Sequence, residues 1–292
     1  MRTAIVTDTN SGITVESGRS SGIYVLPMPL IIEETSYMEG VNITNDQVYQ
    51  ALRSEQNLAS SQPSPGDVMA LWDRIFDEGY DELLYIPMSS ALSGSCSMTA
   101  QLALDYHGKV QVADNHRISV TLMESVYDAK ALADEGMTAS QIKAYLEENA
   151  YAASIYLSVD SLKQLKKGGR ITPAAAALGS ILNIKPLLTI QGEKLDLFAK
   201  VRGTKQCEKK MIEALQNDLN TRFAEIPKKR LRIATAGTLE SEEDAAHWLN
   251  LVQNAFPDYP VYYAPLSCSI ACHVGVNAAG IGVSVIADCR RS

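Results

Sequence analysis

The stretch that decides the fold class reads Leu83-Leu84-Tyr85-Ile86-Pro87-Met88-Ser89-Ser90-Ala91-Leu92-Ser93-Gly94-Ser95. Its apolar half is typical of a buried strand, and its serine- and glycine-rich half predicts a loop that leads into a helix near Cys96. In open α/β sheets, ligands bind beyond the carboxyl ends of the strands, where the N–H groups of a following helix attract anions. The serines supply hydroxyl donors that suit a carboxylate or phosphate, although turn and capping roles explain a single serine equally well.

Strands and helices alternate on both sides of this stretch. Apolar runs predict strands at Thr3–Asp8, 23–32, 82–88, 110–114, 153–159, 231–236 and 261–266, with a hairpin around 191–194. Capping signals and apolar periodicity predict helices that begin after Ser64, follow the capping box at 138–141, end at Gly168-Gly169, and cover 173–181, 204–223 and 241–256. The alternation predicts an α/β fold in two α/β domains. Residues 1–150 would hold a mainly parallel three-layer sheet, and residues 151–292 a mixed sheet with helices.

The composition is that of a globular protein. Of the 292 residues, 46% are hydrophobic and 21% are charged, a balance that excludes intrinsic disorder. No apolar run approaches the roughly 18 residues of a membrane span, and the N-terminal run is too short for a signal peptide. We therefore expect a cytoplasmic protein without an integral membrane segment. The five cysteines are scattered, which argues against a disulfide framework.

Charge is distributed unevenly along the chain. The net charge of −8 argues against nucleic acid as a partner. The segment from Lys163 to Lys210 nevertheless holds 11 basic and only three acidic residues. Chance clustering on solvated faces and a surface for an anionic ligand or partner both explain this excess.

Three further segments carry side chains suited to binding. The loop at 60–65 places Ser60 and Ser61 before a helix N-terminus and is stiffened by two prolines. Arg170 follows paired glycines, where it could orient a carboxylate, dock a phosphate-bearing partner, or simply lie on the surface. His273 ends a C-x3-C-H sequence, which lacks the second Cys/His pair that a zinc site needs.

A hydrolytic site can be assembled from the same residue types. Ser93 would be the nucleophile, His273 the base, and Asp8 or Asp114, each at the end of a predicted strand, would orient the base. The nucleophile elbow G-x-S-x-G is missing, because the sequence reads Ala91-Leu92-Ser93-Gly94-Ser95. The sequence also contains no P-loop, and no G-x-G-x-x-G follows a predicted strand.

Several motifs, taken in order, resemble those of the DegV family of bacterial fatty-acid-binding proteins. They are Thr7-Asp8-Thr9, Val25-Leu26-Pro27, Ser61-Gln62-Pro63-Ser64, Ser89-Ser90-Ala91-Leu92-Ser93-Gly94, Gly168-Gly169-Arg170-Ile171, Lys185-Pro186-Leu187-Leu188 and His273. The resemblance covers nearly the whole chain. Two segments depart from the family pattern: Ser60 stands where the family has threonine, and 273–278 read His-Val-Gly-Val-Asn-Ala instead of His-Thr-Gly-Pro-Gly-Ala.

The resemblance implies a binding subunit with the EDD fold rather than a free-standing enzyme. Such a protein buries one long-chain fatty acid between two α/β domains, without a cofactor or a metal. It presents the carboxylate to a separate fatty acid kinase subunit, which uses ATP to make acyl-phosphate for phospholipid metabolism. By position, Ser93 and the hydroxyl of Ser60 or Ser61 would hold the carboxylate, and His273 would complete the network. Arg170 would act in that network or in docking the kinase.

Three functions stay open from the sequence. The first is the fatty-acid carrier, the second a serine hydrolase or acyltransferase that uses Ser93, and the third a carrier for another small anion. The missing nucleophile elbow favours the first.

Overall fold

The computed structural model describes residues 1–177, 184–239 and 241–290, in which strands and helices alternate. The strands are β1 (Thr3–Asp8), β2 (Ile23–Leu26), β3 (Pro29–Ile32), β4 (Thr35–Met38), β5 (Leu58–Ser60), β6 (Glu82–Ile86), β7 (Val110–Val112), β8 (Ala153–Ser158), β9 (Ile184–Ile190), β10 (Asp196–Arg202), β11 (Leu231–Gly237), β12 (Val261–Pro265) and β13 (Ala279–Val285). The α-helices are α1 (Val15–Ser20), α2 (Asn45–Arg53), α3 (Pro65–Asp77), α4 (Ser95–Leu102), α5 (Ser119–Asp134), α6 (Ala139–Glu148), α7 (Lys163–Gly168), α8 (Pro173–Ala176), α9 (Thr204–Asn220), α10 (Glu242–Ala255) and α11 (Cys268–Val274).

The first sheet contains β2, β1, β6 and β7 in this order, and all its strands are parallel. Successive side chains of a strand point to opposite faces, and here both faces are covered. Helices α3 and α4 pack on one face, and α5 and α6 pack on the other. On the first face, the fully buried Trp72 contacts Tyr85 edge-on, with ring centroids 6.1 Å apart. The predicted parallel three-layer arrangement is confirmed.

The second sheet contains β10, β9, β8, β13, β11 and β12 in this order. Its neighbouring strands are antiparallel except for β11 and β12, so the sheet is mixed, as predicted. Helices α9 and α10 cover one face, where the Trp248 indole donates a hydrogen bond to the Gly280 carbonyl at 2.9 Å. The other face packs towards α5. Helix α5 therefore lies between the two large sheets, which explains why most of its residues are buried.

A third, small antiparallel sheet contains β4, β3 and β5. Helices α2 and α11 pack against it, so that Cys268 and Cys272 from late in the chain join a core with Leu30 and Leu58. The predicted continuous strand at 23–32 is wrong, because β2 and β3 belong to different sheets. Pro27 has no N–H to donate, and the Met28 N–H donates to the Thr9 hydroxyl at 3.2 Å instead of to a neighbouring strand.

Local signals predicted most of the helices correctly. Ser64 caps α3, and the capping box at Thr138 opens α6 as expected. Helix α8 covers the beginning of the predicted helix at 173–181, and the predicted residues 178–181 lie outside the described part of the chain. Among the described helices, none is long and apolar enough to cross a membrane.

The central strand β13 escaped prediction because it contains Gly280 and Gly282, and glycine is typical of strand interruptions. A Cβ atom on Gly280 would lie 3.2 Å from the Leu157 side chain of the neighbouring strand β8, and one on Gly282 would lie 3.2 Å from the Val120 side chain. The glycines therefore permit close packing on β13, and Val120 belongs to the first turn of α5.

Candidate functional site

A cavity of about 900 Å³, counted with its open mouth, lies between the two large sheets. It is lined by residues of α5, α7 and α11, of β5 and the second sheet, and of the loops that follow β1 and β6. The loops at the carboxyl ends of the parallel strands contribute as the α/β rule predicts.

Most of the cavity wall is apolar. Side chains from the second sheet and from the start of α5 form much of it, including Ile118, Val120, Ile155, Leu157, Ile190 and Ile281. Ser60 contacts His273, and Arg170 is bonded to the loop that carries Ser93, so these polar side chains form a polar head in a largely apolar cavity.

All five sequence-predicted site residues line this one cavity: Ser60, Ser61, Ser93, Arg170 and His273. They come from four separate parts of the fold: the end of β5, the loop before α4, the residues after α7, and α11. The structure therefore brings together side chains that are up to 213 positions apart in the sequence.

His273 is held between Ser60 and Gly168. The Ser60 hydroxyl lies 2.8 Å from His273 Nε2, within hydrogen-bond distance. On the other side of the ring, a Cβ atom on Gly168 would come within 2.4 Å of Nδ1, so only glycine allows this approach. Burial, and secondarily the charge of Arg170, lower the pKa of His273 to about 4. The imidazole is therefore neutral at physiological pH.

Arg170 is fixed by two backbone carbonyl groups. Its Nε donates to the Leu92 carbonyl at 3.1 Å, and its Nη1 donates to the Gly168 carbonyl. The first bond ties the arginine to the loop that carries Ser93. Arg170 thus brings a positive charge to the polar head in a fixed position.

Ser93 lies in a tight turn before α4. Its N–H donates to the Ser89 carbonyl at 3.2 Å, and its hydroxyl oxygen accepts from the Ser95 N–H at 3.1 Å. The hydroxyl hydrogen can still be donated to a ligand, since a hydroxyl is both a donor and an acceptor. Ser61 also lines the cavity, and its hydroxyl donates to the Gln62 carbonyl at 3.2 Å.

The alternative catalytic triad is not assembled in this structure. His273 contacts Ser60 rather than Ser93. Asp8 accepts from the Asn10 and Met88 N–H groups, and Asp114 accepts from the Ser90 N–H. These carboxylates therefore fix loops and do not orient His273.

The residues after His273, which depart from the family pattern, are held by the buried Thr238. Its hydroxyl donates to the Gly275 carbonyl at 2.7 Å and accepts from the Ala278 N–H at 3.0 Å. Gly275 and Asn277 both have positive φ angles, 77° and 57°. The backbone there keeps a defined turn without the proline and the second glycine.

The two cysteines of the C-x3-C-H sequence serve packing. The Cys268 and Cys272 side chains are buried, and the Cys268 thiol lies 2.9 Å from the Asn45 carboxamide oxygen. No cluster of histidine, cysteine and acidic side chains suited to a metal occurs among the described residues.

Sequence reasoning missed several cavity residues, among them Asn10, Ser119 and Ser269. Asn10 follows β1 at its carboxyl end, a position that favours ligand contacts. Ser269 donates to the Asn10 side chain and lies one helical turn from His273. The position of Asn10 was the usable signal, whereas Ser119 and Ser269 lie in elements that carried none.

The basic segment lies partly beside the polar head. Helix α7 ends two residues before Arg170 and carries exposed Lys166 and Lys167. Lys163, on the same helix, forms an exposed ion pair with Glu55 at 3.3 Å.

Residues 2–285 match the family model described as "Uncharacterised protein, DegV family". A DegV domain-containing protein from Deinococcus radiodurans is 30% identical over 285 residues, which cover 97% of this chain and 98% of that protein. A fatty-acid-binding DegV family protein from Thermus thermophilus is 27% identical with a TM-score of 0.85, covering 98% of this chain and 100% of that chain. DegV from Bacillus subtilis, described as a fatty acid binding protein, is 26% identical with a TM-score of 0.83, covering 98% of this chain and 99% of that chain.

Proposed function

The chain belongs to the DegV family, and from this premise we propose that it binds one long-chain fatty acid in the cavity between its two large sheets. The observation that carries the proposal is the lining of the site: a largely apolar cavity with a polar head formed by Ser60, Ser61, Ser93, Arg170 and His273. The two similar structures described as fatty-acid binders support it.

In this proposal the carboxylate lies in the polar head. Ser93 donates its hydroxyl hydrogen to one carboxylate oxygen, and Ser60 donates to the other, because the Ser61 hydroxyl already donates to the Gln62 carbonyl. The neutral His273 positions Ser60 through the hydrogen bond at 2.8 Å. Arg170 supplies positive charge, because a buried carboxylate needs several donors and a compensating charge.

The acyl chain lies along the apolar wall. Each buried CH₂ group contributes about 0.8 kcal/mol relative to water, so the chain supplies most of the affinity. The polar head then sets the orientation of the ligand.

We also propose that a separate kinase subunit uses the bound acid. The carboxylate oxygen would attack the γ-phosphorus of ATP, the bond to the ADP oxygen would break, and acyl-phosphate and ADP would leave. The exposed Lys166 and Lys167, next to Arg170, favour this end of the cavity as the docking surface. We place the boundary between the two domains near residue 150, between the strands of the first and second sheets.

The first test is mass spectrometry of an organic extract from freshly purified protein, with denatured protein as the control. We expect near-stoichiometric fatty acid. An empty extract, together with no rise in Tm when palmitate or oleate is added, would contradict the proposal.

The Ser93→Ala substitution should lower fatty-acid affinity about ten- to hundredfold, because it removes a hydrogen bond to a charged group. Ser97→Ala is the matched control, since Ser97 is exposed on α4 and does not line the cavity. Hydrolysis of an activated ester without any partner, abolished by Ser93→Ala alone, would instead support the hydrolase.

A further inference from the structure

The cavity has a second polar locus at the start of α5. Ile118, Ser119 and Val120 line the cavity, and each is less than 10% exposed. The first N–H groups of an α-helix have no partner inside the helix and point out of its N-terminus. In α5 no side chain caps these groups, because the capping position holds Ile118.

Ser119 adds a hydroxyl to this helix end. The residue is 8% exposed and lines the cavity, and its hydroxyl makes no hydrogen bond with any described residue. Its φ angle is 55°, a left-handed conformation that a residue with a side chain adopts at some cost. The Ser119 hydroxyl borders the cavity at an uncapped helix end, so a bound ligand can supply the partner that the described residues do not.

The surroundings favour an electron-rich partner. Arg117, two residues before Ser119, is 4% exposed. Its Nε and Nη2 donate to the carbonyl oxygens of Ala150 and Asn149 at 3.2 and 2.6 Å, and its Nη1 has no partner among the described residues. Arg117 lines a separate small pocket and lies near the charges of Asp128 and Glu124, so it is the positive end of the α5 dipole that favours an electron-rich partner in this cavity.

We propose that the cavity selects acyl chains that carry an oxygen atom, as an oxo or hydroxy group, opposite Ser119. The groups at the locus are hydrogen-bond donors, so they need an acceptor from the ligand. A plain hydrocarbon chain would bury these donors without a partner, which is costly. The inference rests on the proposed fatty-acid function and names its preferred substrate class.

The test compares stearate with a set of oxostearates that differ only in the position of the carbonyl along the chain. Delipidated protein is titrated in competition with a fluorescent fatty acid. We expect one position, with its immediate neighbours, to bind about three- to tenfold more tightly than stearate, the gain of one added hydrogen bond.

The Ser119→Ala variant should reduce this preference towards equality. Ser125→Ala is the control, since Ser125 lies on the same helix and is buried, but its hydroxyl donates to the Thr121 carbonyl and does not line the cavity. It should keep the full preference.

Equal affinity for stearate and every oxostearate would overturn the inference and leave fatty-acid binding intact. A preference that survives Ser119→Ala would also overturn it. Binding of neither stearate nor any oxostearate would overturn the proposed function itself, and the inference with it. The positional series on the unaltered protein decides the question even where the Ser119→Ala variant fails to fold.

Discussion

Helix α11 connects two polar clusters. They differ in whether their polar groups bond to other parts of the protein or border the cavity. At its N-terminus, Glu39 accepts from the N–H groups of Cys268 and Ser269 and from the Thr9 hydroxyl. One turn further along, His273 contacts Ser60 and lines the cavity. The first cluster uses its bonding capacity within the protein, whereas the second directs part of it into the cavity.

Shifted pKa values do not distinguish the two clusters. Burial raises the pKa of Glu39 against the opposing effect of its hydrogen bonds, and burial lowers the pKa of His273 to about 4. Perturbed titration is therefore a weak guide to function here. The useful criterion is whether the polar atoms border a cavity.

The largest effect should come from breaking the internal cluster. Glu39→Ala leaves two backbone N–H groups and a hydroxyl buried without an acceptor, so we expect the free energy of unfolding to fall by about 3 kcal/mol or more. Fatty-acid affinity should fall as well, because α11 positions His273. Urea unfolding and ligand titration measure both effects.

Glu34→Ala is the matched control for that change, since Glu34 is an exposed residue between β3 and β4. It should alter stability by less than about 0.5 kcal/mol. Comparable losses in the two variants would show that α11 does not depend on its Glu39 contacts.

The pH dependence of stability should separate Asp8, near the internal cluster, from His273. Burial raises the pKa of Asp8 from 3.8 to about 6, so the native state holds its proton more tightly than the unfolded chain. Its contribution is present below pH 4 and is lost as the pH rises through 6. His273 acts in the opposite sense, because its pKa falls from 6.5 to about 4. Its contribution is present above pH 6.5 and is lost as the pH falls to 4.

Each of these shifts corresponds to about 3 kcal/mol, so the two contributions largely cancel in the unaltered protein. As the pH rises from 4 to 6, the free energy of unfolding of Asp8→Asn should increase more steeply than that of the unaltered protein. The free energy of unfolding of His273→Gln should instead decrease over the same range. Urea unfolding across this pH range measures both slopes. Equal slopes in the two variants would show that Asp8 and His273 do not have opposite effects on the pH dependence of stability.

The same comparison explains how much was predictable from the sequence. Ser93 lies in a loop at a strand end that local patterns mark as a ligand position, whereas the pattern around Arg170, after paired glycines, left a surface role equally open. Their meeting in one cavity needed the family resemblance, because the Ser60–His273 contact spans 213 positions and depends on how α11 packs against β5. No local sequence pattern predicts how α11 packs against β5.

Two of the elements that the sequence analysis did not predict, β13 and α5, were missed for a common physical reason. Strand β13 has glycines where strand propensity favours branched residues, because Leu157 and Val120 pack close to its backbone. Helix α5 is buried between two sheets and therefore lacks the amphipathic pattern that marks a surface helix. In both cases tertiary contacts determine the structure, and the local sequence lacks the propensity or periodicity that would have predicted the element.

The smallest but most local effect should come from adding one carbon beside His273. Gly168→Ala places a Cβ atom 2.4 Å from the His273 Nδ1, so the imidazole must move away from Ser60. We expect a stability loss of about 1–3 kcal/mol, typical of overpacking, and a marked loss of fatty-acid affinity.

Gly169→Ala is the neighbouring control: its φ of 65° makes the change cost about 1 kcal/mol, but its Cβ meets no atom within 4 Å. Loss of affinity in the Gly168 variant alone would show that the position of the imidazole, rather than the stability of α7, controls the polar head, whereas equal losses would assign the effect to the helix end.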